Sequence, residues 1–137
     1  MKYLVLSLTL IFVSCGQDPS DSQPTNKELK EQVLAAHDVV MPKMEELRKI
    51  EKALRTAANE QMLLSESVKA VKATEAANVL AEANESMMQW MRSFDPNYKG
   101  TEEEVRAYLE EQKLFIDQVR FDMNTALDQG KSVLEKD

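Results

Sequence analysis

Cysteine, histidine and tryptophan each occur once in this chain of 137 residues, glycine three times and proline four times. A single cysteine excludes an intramolecular disulfide framework, and a single histidine excludes the usual multi-histidine zinc sites. Glycine and proline are too scarce for an all-β protein, which needs a turn about every 8–12 residues, or for a doubly wound α/β fold with phosphate loops. Aromatic residues make up 6%, and 17 basic residues face 24 acidic ones for a net charge of −7. That charge repels nucleic acid and anionic headgroups, so no nucleic-acid partner is expected. There is no nucleophile–base pattern, glycine-rich phosphate loop or metalloprotease helix motif. Enzymatic activity is therefore not expected, and the length suits one small domain.

What is present begins with an address. Lys2 precedes an apolar run over residues 4–13, broken only by Ser7 and Thr9. The run is too short to span a bilayer and has the length of a signal-peptide core. It ends in Phe12-Val13-Ser14-Cys15-Gly16, where a small residue precedes the only cysteine and glycine follows it. This resembles the lipobox of bacterial lipoproteins, although Phe12 stands where that family most often has leucine. The resemblance implies cleavage of residues 1–14 and acylation of Cys15, hence a membrane partner through an N-terminal lipid. A cell-envelope protein at the outer membrane is the expectation, its periplasmic or surface face left open. Several acyl chains would anchor such a protein firmly. Loss of Lys2 with the leader would leave the remainder more acidic, a body tethered to the membrane and not embedded in it.

Residues 15–26 then read as the anchored cysteine and a flexible tether. From Gly16 onward the segment holds two prolines and no large apolar residue, too little to offset the entropy of ordering. From residue 27 to residue 137 helical period takes over. Leu29, Val33, Ala36, Val40, Met44, Leu47, Ile50, Leu54 and Ala57 recur at steps of three or four, with Thr25 or Asn26 as cap and a kink expected near residues 38–42, where Pro42 removes a donor. A second run over residues 67–92 carries Val68, Val71, Ala76, Val79, Leu80, Ala83, Met87, Trp90 and Met91. Residues 94–100 are a breaker cluster, after which Thr101 and Glu104 form a capping box. Val105, Leu109, Gln112, Ile116, Val119, Met123, Ala126, Gly130 and Val133 complete a third run. The pattern predicts an all-α, antiparallel up-down-up three-helix bundle, or else a helical hairpin that completes its core by dimerising.

One constellation makes a chemical claim. His37, Met41 and Met44 share a helix face, and Met87, Met88, Trp90 and Met91 fall within about one turn. Antiparallel pairing brings His37 near Trp90 or Met91 and Met41 near Met87, with Tyr108 and Phe115 passing at the same level. Thioether and imidazole ligands suit soft metals, so His37, Met41, Met44, Met87 and Met91 are a candidate copper or silver site. Methionine also fills cores beside aromatic rings and lines adaptable protein-binding surfaces. The favoured expectation is core packing, no cofactor, and a helical module that binds an envelope protein or serves a structural role.

The segments H-D-V-V-M-P-K-M from His37, M-M-Q-W-M-R-S-F from Met87 and Y-L-E-E-Q-K from Tyr108 resemble a group of small bacterial lipoproteins, some of them labelled viral A-type inclusion protein. That resemblance implies a helical lipoprotein and carries no activity with it.

Overall fold

The computed structural model describes residues 23–135. The leader, Cys15 and most of the expected tether thus lie outside the described residues. Four helical segments follow: α1 (Asn26–Val40), α2 (Lys43–Leu63), α3 (Ser67–Ser93) and α4 (Glu102–Leu134). No strand occurs among the described residues. The first two segments are one long helix of the expected pattern, interrupted at Met41 and Pro42. Pro42 has no N–H for the carbonyl four residues back. Around it the ladder tightens, with Met44 N donating to Met41 O at 3.2 Å while Met41 N still reaches His37 O. The result is an all-α bundle of three rods, the first of them bent.

Local chemistry sets the ends. Thr25 caps α1 in a full capping box with Glu28, and Thr101 does the same for α4 with Glu104. At the other end of α2, Ser65 adopts φ 63°, the left-handed region that favours glycine. Glu66 N donates to Gln61 O at 2.8 Å and Ser65 N to Met62 O at 3.1 Å. These two bonds make the Schellman stop that satisfies the last carbonyls of a helix. Of the two surface pairs of favourable helical spacing on α2, Glu51–Arg55 forms at 2.9 Å. Glu45–Lys49 does not form.

The first rod runs parallel to α4, and α3 runs opposite to both. Asn26 donates to the Glu102 carbonyl at 3.0 Å, Lys43 reaches Asn124, and Glu46 pairs with Lys131 at 2.7 Å, so the numbers rise together along the two rods. Arg55 meets Asn78 at 3.4 Å across the antiparallel α2–α3 pair. Packing is densest between α2 and α3, whereas α1 leans chiefly on α4.

The core follows the first and third patterns closely and corrects the second. Leu47, Leu54, Leu80, Met87, Ile116 and Met123 are fully buried. On α3, however, Val68, Val71 and Val79 are exposed, and Ala70, Ala73 and Ala77 are buried in their place. Val71 lies nine residues from Leu80, half a turn away on a 3.6-residue helix, so both cannot face inward. Alanine lines that face where α3 packs most densely, against α2, and small residues let the two backbones approach. Two smaller corrections are of the same kind. Ala58 is buried where Ala57 was expected, and Leu127 joins the seam of α4.

Candidate functional site

The only tryptophan anchors a row of rings at the pole where the N-terminus enters. Trp90, near the end of α3, is buried between His37 of α1, with ring centres 5.6 Å apart, and Phe94, 4.8 Å away and nearly parallel. Phe94 continues to Tyr108 at 6.2 Å, and Tyr108 to Tyr98 at 4.2 Å. Backbone bonds hold the row in place. Tyr108 Oη accepts from Asp95 N at 2.7 Å, Asp95 Oδ1 accepts from Asn97 N, and Lys30 of α1 donates to the Pro96 carbonyl. The loop over residues 94–100 is thus pinned between α1 and α4. Phe115, expected in this cluster, is exposed and stands outside the row. It is seven residues from Tyr108, close to two full turns, but past the level at which Phe94 ends α3.

The five candidate metal ligands occupy different environments. Met44 and Met87 are closed in the core, with Met87 at 0% exposure. Met91 packs half-buried against that core. Met41, beside the bend, is exposed to 37%. His37 is half-buried, and its Nδ1 lies 2.9 Å from the Asp38 carboxylate. An ion held by all five would require Met44 and Met87 to leave apolar packing for a wet site. His37, Met41 and Met91 are the members with access to water. Among the described residues, no three His, Cys, Asp or Glu side chains are placed to share a metal ion.

Buried polar atoms are few. Trp90 Nε1, Gln61 Oε1, Asn84 Oδ1 and Gln112 Oε1 have no hydrogen-bond partner among the described residues. Each sits on an inward face of its helix, where water is excluded. Trp90 Nε1 lies among the rings, whereas Gln61 stands near the far end of α2.

Sequence reasoning missed the opposite pole. Met62, Leu63 and Leu64 at the α2–α3 turn are all exposed. The signal was available as three consecutive large apolar residues ending a helix, since no amphipathic face has room for all three. Among the described residues, no helix is long and apolar enough to cross a membrane. No protein family, curated protein or solved structure matches the chain.

Proposed function

We propose that this protein is a lipid-anchored helical module of the cell envelope that binds another envelope component and performs no catalysis. The observation that carries this reading is the apolar run over residues 4–13 closing on Val13-Ser14-Cys15-Gly16, with the chain's only cysteine at the point of cleavage. An ordinary exported chain would have to place its one thiol there by accident. The described body supports the reading in kind. It is a helical bundle whose capped first helix begins at Asn26, about ten residues beyond Cys15. Its apolar surface includes Leu114 and Phe121, exposed seven residues apart on the outer side of α4, a spacing suited to a partner helix.

Intact mass and detergent partitioning of the expressed chain test the anchor, with Cys15→Ala alongside. The expected outcome is an acylated species beginning at Cys15 that enters the detergent phase, and a Cys15→Ala chain that does not. An unacylated wild-type chain in the aqueous phase would overturn the proposal.

A further inference from the structure

The outer seam between α1 and α3, beside the row of rings, gathers the methionines that water can reach. Lys30 of α1 bonds to the Pro96 carbonyl and His37 lies on Trp90. Seven residues along α1 thus match six back along the loop and α3, an antiparallel register that puts His37 level with Trp90 and Met91. One turn further along α1, Met41 is level with residues 86–87, one residue short of Met88. His37 and Met41, four residues apart, share a helix face, and so do Met88 and Met91, three apart. Ser86 lines the groove between α3 and α4, and Met88 and Met91 stand about 200° and 140° round the helix from it. Their flank is therefore the one turned toward the first rod. Two pairs of side chains oppose each other across the seam, each pair spanning about one helical turn.

Exposure separates these side chains from the methionines that only pack. Met44, Met87 and Met123 are closed in the core, whereas Met41 and Met88 are each 37% exposed. Met91 is half-buried, and the His37 side chain keeps 24% of its surface wet. All four can meet an ion from water without unpacking the core. The His37 ring is already oriented for this. Its Nδ1 lies 2.9 Å from Asp38 Oδ1, and an ionised carboxylate only accepts, so Nδ1 carries the proton and Nε2 the free lone pair. A carboxylate behind the ring is how metal-binding imidazoles are held and made more basic. The donor set then chooses the ion. One imidazole and three thioethers do not suit calcium or magnesium, and among the described residues no three His, Cys, Asp or Glu side chains meet to hold zinc. We propose that His37, Met41, Met88 and Met91 form a clamp for a soft monovalent cation, the class of Cu(I) and Ag(I). The clamp keeps three of the five ligands the sequence suggests and takes Met88 in place of the buried Met44 and Met87. Methionine has three rotatable bonds, so the sulfurs can converge on an ion with the backbones in place. The site goes beyond the envelope module and does not require its lipid.

The test uses silver nitrate in chloride-free buffer and the full chain carrying Cys15→Ala, so that no thiol competes. The methionine methyl carbons are labelled and followed by nuclear magnetic resonance. One equivalent of Ag(I) is expected to shift the methyl signals of Met41, Met88 and Met91 and to leave those of Met44, Met62 and Met123 in place. Met41→Leu with Met88→Leu nearly conserves volume and should weaken binding at least tenfold in competition with a chelator. Met62→Leu, at the far pole, should leave the affinity unchanged. His37→Phe keeps a ring on Trp90 and should weaken binding as much as the leucine pair does. If that variant loses its helical circular dichroism, the leucine pair decides alone. An absence of shifts at one equivalent overturns the proposal. Shifts spread evenly over all the methionines, Met62 included, overturn it too, as does a loss of less than tenfold in the leucine pair. None of these results bears on acylation of Cys15, so the clamp and the lipid anchor fail separately.

Discussion

Trp90 is the largest fully buried side chain and the least comfortable one. Its ring is sandwiched by His37 and Phe94, yet its Nε1 finds no acceptor among the described residues. An unmatched buried donor costs about 1–3 kcal/mol, so removing it offsets part of the packing lost with the smaller ring. Trp90→Phe should therefore destabilise by less than about 1.5 kcal/mol, and Trp90→Ala by about 3–5 kcal/mol, in chemical denaturation. A cost for Trp90→Phe above about 3 kcal/mol would mean that the indole N–H is paired. Gly130 presents the opposite problem, too little room. A Cβ there would stand 2.9 Å from both Ile50 Cγ2 and Leu80 Cδ1, and 3.4 Å from Leu54 Cδ1. Alanine in a helix gains about 1 kcal/mol over glycine. Overpacking a filled core costs about 1–3 kcal/mol, and Leu54 and Leu80 are fully buried with little freedom to yield. Gly130→Ala should be neutral to destabilising by about 1 kcal/mol, and less so when Leu80→Val makes space. A plain gain in stability from Gly130→Ala alone would show that the methyl groups move away at no cost.

At the level of the helices, ends and faces were legible in different measure. Thr101 with Glu104 marks the start of α4, and Thr25, one of the two caps expected for α1, completes the same box with Glu28. The kink follows from the donor missing at Pro42, and the break at residues 41–42 falls at the end of the expected interval, residues 38–42. The inward face of α3 could not be placed, because alanine and valine are both apolar and only the neighbouring rod decides which is buried. The row of rings was half visible. His37 beside Trp90 followed from antiparallel register, while the turn of the chain over residues 94–100 brought in Phe94 and Tyr98, which no periodicity describes. The end contacts also make stability depend on pH at both extremes. The Thr25 backbone N–H, then its hydroxyl, hold Glu28 below its ordinary value of 4.5. The bond from Lys131 does the same for Glu46, and Glu46 raises Lys131 above 10.5. Depressed carboxylates stabilise the fold above about pH 4.5 and lose that effect as the pH falls through their folded values. The raised amine stabilises it below about pH 10.5 and loses that effect as the pH climbs through its folded value. Thermal melts should show a plateau between these limits. Glu46→Gln should weaken both limbs, and a loss confined to the acid limb would mean that Lys131 gains nothing from Glu46.

For the molecule as a whole, what matters is which rod touches which. α2 and α3 are neighbours in sequence as well as in space, with Arg55 and Asn78 meeting 23 residues apart. α1 depends instead on α4, where Asn26 and Glu102 meet across 76 residues. Neighbouring segments close at small entropic cost and distant ones at a larger cost. The 15 residues of α1, hinged at the Met41–Pro42 bend, therefore form the unit most readily released as one piece. Hydrogen exchange should find the amides of Val33 and Ala36 less protected than those of Leu54 and Leu80, although all four residues are buried. Equal protection would mean that the whole bundle opens only at once. The parallel pairing of the first and last rods also sets an order of events in time. While the chain is being made or threaded across a membrane from its N-terminus, α1 is the first of the four helices to emerge and must wait for residues 102–134 before its apolar face has its main support. The segment nearest the N-terminus is the earliest to arrive and the last to be housed, and through that interval it is a bare amphipathic helix within reach of whatever surface lies beside it.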